Sequence, residues 1–211
     1  MKITELKPTK RDGRVNVYLD GEYSFTVYEE IILDYSLFLD SEIDENSIQE
    51  ILLLDNRKFA KRKAFDILGR GAVTVSTMRK KLREKSVCNE VIDETVDYLI
   101  QNNYLNDYDY AENAVSFLHE TKFYGKNRIL QIFFEKGVPK DIAEEVCEAY
   151  FQDAETPDLL RDMLIEYLRK IDITEINSKK RLIDKFLRMG YSYSEIKNTL
   201  SDIKNIDLDD D

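Results

Sequence analysis

The chain has 211 residues, 43% of them hydrophobic and 11% aromatic, with 42 acidic against 31 basic side chains and a net charge of −11. That apolar content argues against disorder, and seven glycines with three prolines leave few turn signals, so long helices on short connections are expected. A single histidine and two distant cysteines leave nothing from which to build a Ser/His/Asp or Cys/His catalytic set or a cysteine-rich metal site.

Residues 1–27 read as strand. Ile3 and Leu6 lie in a first short run; Val15, Val17 and Leu19 then alternate with polar or tyrosyl neighbours. Asp20-Gly21 follows, and Tyr23, Phe25 and Val27 resume the alternation, which is a strong short-range hairpin signal. Residues 28–35 and 45–56 read as helices, with Asp44 or Asn46 as cap of the second. Residues 1–56 therefore form a small α+β module that needs a neighbour for stability.

From residue 57 onward the periodicity is helical, and a weak repeat appears. TMRKKLREKSVCNEVI (77–92), RILQIFFEKGVPKDIA (128–143) and RLIDKFLRMGYSYSEI (181–196) align, pairing Met78/Leu82 with Ile129/Phe133 and Leu182/Phe186. Each i,i+4 apolar pair ends at a common breakpoint, Ser86, Gly137 or Gly190, where a left-handed residue closes a helix. Pro139 fits the first position of the next helix, and Ser192 with Glu195 fits a capping box. A further helix precedes each unit, with stripes at Ala60/Ala64/Ile67/Leu68, Ala111/Ala114/Val115/Leu118 and Leu160/Met163/Leu164/Tyr167/Leu168. The expected fold is mainly α: three tandem three-helix-bundle repeats forming an elongated array, preceded by the β-hairpin-containing module. The expected units are 1–56, 57–106, 107–153 and 154–211, the last ending in a solvated acidic tail from Asp207.

Charge is distributed unevenly. The four stretches carry −8, +5, −5 and −3, and RKFAKRKAFDILGRGAVTVSTMRKKLREK (57–85) alone carries +9. A solvated helix face is the plain reading of such a run. The near absence of acids at i,i+4 spacing and the placing of Lys58, Lys61 and Arg62 opposite the apolar stripe favour an anionic partner instead. Arg57, Arg70, Arg79, Lys80, Lys81, Arg83 and Lys85 belong to the same candidate set. Lys126, Arg128 and Lys136 follow in the second repeat, and Lys179, Lys180, Arg181 and Lys185 in the third. The partner is nucleic acid or an acidic protein surface, met by one face only because the rest of the chain is acidic.

Other signals are blander. Cys88 and Cys147 read as buried small hydrophobes, and His119 as structural. Gly125–Ile129 lacks the spacing of a phosphate loop. Acid pairs such as Asp107/Asp109 and Glu144/Glu145 read as solvated faces, Asp107 better as a helix cap. No apolar run approaches the ~20 residues of a membrane span and no signal peptide is seen, so a soluble, cytoplasmic protein without cofactor and without enzymatic activity is expected. A DNA-binding regulator with helix-turn-helix-like units is the first rival. Its recognition helices would be 89–101 and 139–151, and acidic helices are repelled by a DNA groove. An α-solenoid scaffold for acidic peptides is the second.

The ordered units resemble the RecX family of bacterial recombination regulators. Leu68, Arg70, Thr74, Met78 and Leu82 match its first helical pattern. Leu105, Asp107, Tyr110, Ala111 and Val115 match its L-D-D-x-[FY]-A stretch, and Gly125, Ile129, Phe133, Lys136, Gly137 and Val138 its G-x-x-x-I…K-G-[IV] stretch. Val17 to Gly21 look like the N-terminal hairpin of its longer members. Thr77, Ser86, Asn106 and the Asn103-Tyr104 pair depart from the pattern. The resemblance implies an inhibitor of RecA that lies in the groove of the RecA–single-stranded DNA filament and limits filament growth, ATPase and strand exchange. It implies roles in DNA repair, recombination and the SOS response, no cofactor, a monomer, no membrane, and at most weak direct DNA contact through the basic first repeat.

Overall fold

The computed structural model describes residues 1–10, 13–153, 158–170 and 176–209, with side chains omitted at 176–177 and 204–209. The last two residues of the acidic tail, 210–211, and part of the linker before the third repeat lie outside the described residues. The chain divides into two compact units, Met1–Gly71 with Met78–Tyr104, and Ala72–Thr77 with Leu105–Asp211.

Three antiparallel strands in the order β1 (Ile3–Pro8), β2 (Arg14–Leu19), β3 (Glu22–Tyr28) open the first unit. Leu19 pairs with Glu22 across a two-residue turn. Asp20 and Gly21 both have positive φ, 49° and 90°, as the Asp-Gly pair predicts. The alternating residues Val15, Val17, Leu19, Phe25 and Val27 are buried. They pack with Ile3 against Ile31 of α1 (Glu29–Asp34) and Ile51 of α2 (Glu45–Leu68). Asp44 caps α2 by accepting from Ser47 N at 2.8 Å.

Helix α2 is a single element of 24 residues, so the expected helix over 45–56 and the stripe beginning at Ala60 are one structure. No glycine or proline interrupts 45–68. Asp55, beside the expected 56/57 boundary, is 8% exposed and satisfied by tertiary partners: Arg14 at 2.8 Å and Tyr28 N at 2.8 Å. Its N-terminal half serves the sheet, and its C-terminal half, through buried Ala60 and Ala64, serves the first repeat.

That repeat continues with α3 (Val75–Arg83) and α4 (Asn89–Gln101). The second comprises α5 (Asp107–Ser116), extended by a π-helical turn at Phe117–Thr121, then α6 (Lys126–Lys136) and α7 (Lys140–Gln152). The third comprises α8 (Leu159–Leu168), α9 (Ile176–Arg188) and α10 (Tyr193–Asp209). All three i,i+4 pairs are buried at 1% exposure or less. Ile129 and Phe133 pack with Ala111, Val115 and Val146; Leu182 and Phe186 pack with Leu160, Leu164 and Ile196. Cys147 joins the second core, where burial pushes its thiol up to about 11. Cys88 is exposed, against expectation, because it stands at the start of α4 rather than on its inner face. His119 is buried, with Nδ1 2.9 Å from the Tyr124 carbonyl.

The three breakpoints share one geometry. Ser86, Gly137 and Gly190 have φ of 62°, 73° and 96°. In each case the following amide donates five residues back, from Val87 to Leu82 O, Val138 to Phe133 O and Tyr191 to Phe186 O, which is a Schellman closure. Glycine is needed at two of them for a second reason. A Cβ on Gly137 would lie 2.4 Å from Ser76 side-chain atoms, and one on Gly190 would lie 2.3 Å from Arg128 N. Ser86 is exposed, so left-handed strain alone separates it from glycine there.

Those close approaches join consecutive repeats within the second unit. The end of α6 docks on the start of α3, where Thr74 Oγ1 donates to Lys136 O at 2.6 Å. The end of α9 docks on the start of α6 in the same manner, with Gly125 N donating to Met189 O at 2.8 Å. Asp107 serves the first junction. It is not the cap of its own helix: Asn106 caps α5, and the buried Asp107 carboxylate turns to accept from Val75 N at 2.8 Å. Burial raises its pKa, and the Val75 hydrogen bond offsets part of the rise. Pro139 stands one place earlier than expected, as N-cap of α7. Ser192 and Glu195 form the expected reciprocal box at 2.6 and 3.2 Å.

Candidate partner-binding site

The basic segment 57–85 occupies the C-terminal half of α2, the following loop, α3 and the turn after it. Carboxylates from other elements meet four of its eleven cations, and a fifth, Lys63, pairs within α2. Arg57 donates through Nε and Nη2 to both Glu94 oxygens at 2.6 Å, and this pairing lowers the Glu94 pKa. Arg79 pairs with Asp93 on the same helix, α4. Lys58 reaches Glu30 at 2.8 Å and Asp34 at 3.4 Å, Arg62 reaches Glu30 at 3.7 Å, and Lys63 reaches Asp66 at 3.2 Å. The hydrogen bond between Lys58 and Glu30 raises the pKa of the lysine and lowers that of the acid.

The expected uncompensated face of 57–85 is therefore corrected. Its acids are absent at i,i+4 but present on α1 and α4, 28 and 37 residues away. The acidity of α4 has the same explanation: Asp93 and Glu94 neutralise α2 and α3. Lys61 lies 4.2 Å from the Tyr98 ring centroid. Arg70, Lys80, Lys81, Arg83 and Lys85 form no ion pair among the described residues; Lys81 is half-buried and the other four are exposed. These five and Lys61 are the segment's available positive charge.

A cleft of about 1350 Å³ opens where the sheet meets α2. Lys10, Arg14, Lys61, Arg62 and Lys63 line it; among the described residues only Asp55 and Asp66 oppose them, and each of those acids already holds a cation. Tyr28 lies between two guanidinium groups, 4.5 Å from Arg14 and 4.7 Å from Arg62. Cations beside an aromatic ring in an open groove suit a phosphate-bearing chain. Lys10, Arg14 and Lys63 were not singled out in the sequence, because the fold alone brings Arg14 to Asp55 across 41 positions.

The remaining candidates lie in the second unit. Lys126 is 3.9 Å from Glu148, and Arg128 donates to Gln131 Oε1 at 2.7 Å. Lys136 contributes its carbonyl to the repeat junction. Lys179, Lys180 and Arg181 are exposed on α9, and Lys185 stands 4.4 Å over the Tyr167 ring. Among the described residues no group of three His, Cys, Asp or Glu could hold a metal ion, and no helix is long and apolar enough to cross a membrane.

The family model described as the regulatory protein RecX N-terminal domain matches residues 1–44. The regulatory protein RecX of Clostridium botulinum (strain Alaska E43 / Type E3) is 29% identical over 212 residues, covering 99% of both chains. That of Clostridium acetobutylicum is 29% identical over 206 residues, covering 95% of both. A crystal structure of regulatory protein RecX superposes with a TM-score of 0.65 at 26% identity, covering 93% of this chain and 98% of that one. The structure of RecX from Lactobacillus salivarius, 23% identical with a TM-score of 0.61 over 72% of this chain and 98% of that one, agrees in fold. The chain is thus similar to regulatory proteins RecX along nearly its whole length, in sequence and in fold.

Proposed function

We propose that this protein is a non-enzymatic, monomeric, cytoplasmic modulator of RecA, acting as an inhibitor from within the groove of the RecA–single-stranded DNA filament. The observation that carries the reading is its likeness to regulatory proteins RecX along nearly the whole chain. Tandem modules of one design suit a partner that is itself a repeat of identical subunits. Bound there, the protein limits filament growth and with it RecA's ATPase and strand exchange, processes that serve DNA repair and the SOS response. ATP belongs to RecA in this scheme, and the modulator needs no cofactor.

The positive charge that meets the filament is the unpaired set Arg70, Lys80, Lys81, Arg83 and Lys85, with the cleft around Tyr28 available for a weak direct contact with DNA. The test is RecA's single-stranded-DNA-dependent ATPase with this protein titrated in. Substoichiometric inhibition supports the reading, and no inhibition at any ratio sinks it. Reversing Lys80, Lys81 and Arg83 to Glu weakens inhibition more than reversing Arg57 and Lys58. The salt dependence of binding to the oligonucleotide alone, about −0.7 per neutralised single-strand phosphate, measures the direct DNA contact.

A further inference from the structure

Helices α8, α9 and α10 close around Leu164 and Phe186 but leave a cavity of about 650 Å³ beside them. Its walls are mainly aliphatic, built from Ile165, Leu168, Leu182, Ile183, Ile196 and Leu200, with one ring, Tyr193. The volume lies within the roughly 300–1,000 Å³ of pockets that bury ligands.

The charge around it is the informative feature. Arg161, Arg169, Lys179 and Lys197 line the same cavity, and among the described residues no carboxylate does. None of the four forms an ion pair among the described residues; nearby Glu166 is engaged by Lys170 at 2.5 Å. In a chain with 42 acids and 31 bases, an apolar recess surrounded by four unpaired cations runs against composition. The first repeat, more basic in sequence, pairs five of the eleven cations of its basic segment.

The occupant must bring negative charge and aliphatic surface together. A nucleic acid strand is a poor fit, since Tyr193 is the single ring among the described lining residues and the other walls are aliphatic. A membrane surface is a poor fit too, since its binders present protruding apolar side chains and this surface is concave. A helix or extended segment that inserts aliphatic side chains and flanks them with carboxylates satisfies both requirements.

We propose that the cavity of the third repeat is a docking site for an acidic segment of a partner protein that inserts two aliphatic side chains between Arg161, Arg169, Lys179 and Lys197. This site does not depend on the RecA reading.

The experiment uses the full chain and a fluorescein-labelled 16-residue probe peptide with leucines at i and i+4 among glutamates, read by fluorescence polarisation. Saturable binding is expected, with a loss of affinity of at least about tenfold when the two leucines become serine. Arg161→Glu with Lys197→Glu reduces affinity by about tenfold or more through charge. Ser201→Trp places a ring at a cavity-lining position without changing charge and reduces it as well; far-UV circular dichroism verifies that each variant folds. Absence of saturable binding by the folded chain overturns the proposal, as does undiminished binding by Ser201→Trp. Displacement of the peptide by a single-stranded oligonucleotide or by anionic phosphatidylserine vesicles, lost in the same variants, assigns the site to those ligands and also overturns it. RecA inhibition by the Ser201→Trp variant is scored separately, so the two readings fail independently.

Discussion

The first and third repeats treat positive charge in opposite ways. In the first, a segment of +9 is partly quieted: Glu94 and Asp93 of α4 and Glu30 of α1 take Arg57, Arg79, Lys58 and Arg62. In the third, within a stretch of net −3, four cations surround a mainly aliphatic cavity with no carboxylate among its described lining residues. The number of charges along a segment therefore says little about how many are available. Availability depends on which helix faces which, and an ion pair formed inside a module is charge withdrawn from a partner.

Four perturbations would break or sharpen this contrast. The largest effect is expected at Asp55, the least exposed carboxylate paired in the first unit. Asp55→Ala leaves Arg14 without its carboxylate and Tyr28 N without its acceptor, and costs about 3 kcal/mol or more in urea unfolding. A loss below about 1 kcal/mol would mean that water replaces the pair. Asp107→Ala removes the acceptor from Val75 N and costs about 1–2 kcal/mol. The pH dependence has a definite sign. Burial raises the Asp107 pKa, so its ionised form opposes folding. That penalty is full above the folded pKa and disappears as pH falls below the unfolded value, so the difference between wild type and Asp107→Asn shrinks in acid.

Ser86→Gly should stabilise by about 1 kcal/mol, because φ of 62° strains serine and not glycine. Gly190→Ser should do the reverse and more, since Arg128 N occupies the space. Thermal unfolding of the two variants separates strain from close approach. The smallest stability effect belongs to Glu94→Gln with Asp93→Asn, about 1 kcal/mol or less in total because the pairs are partly exposed. The same double variant frees Arg57 and Arg79, and should bind a single-stranded oligonucleotide several-fold more tightly at low salt. Unchanged affinity would show that α4 does not restrain the basic face.

Much of the fold was legible because it rests on short-range rules. Asp20-Gly21 announced its turn through the φ values that only such a pair accepts cheaply. The aligned pairs Met78/Leu82, Ile129/Phe133 and Leu182/Phe186 announced three cores through helical spacing, and Ser192 with Glu195 announced a cap. The errors share one cause. The boundary at 56/57 fell inside a helix, Asp107 read as the cap of its own helix, and Cys88 as a core residue, because each was judged by its neighbours in sequence. Asp55 and Asp107 find their partners 27 and 32 positions away.

The amino-acid order alone thus determined the hairpin, the number and phase of the repeats and the left-handed breakpoints, since turn chemistry and the 3.6-residue period act over a few residues. The packing of helices decided which cations are neutralised, where the cleft beside Tyr28 and the cavity of the third repeat open, and why glycine stands at 137 and 190 but serine suffices at 86. Coulomb attraction and close contact act between groups near in space. Their outcome is written in distances that exist only once the chain has folded.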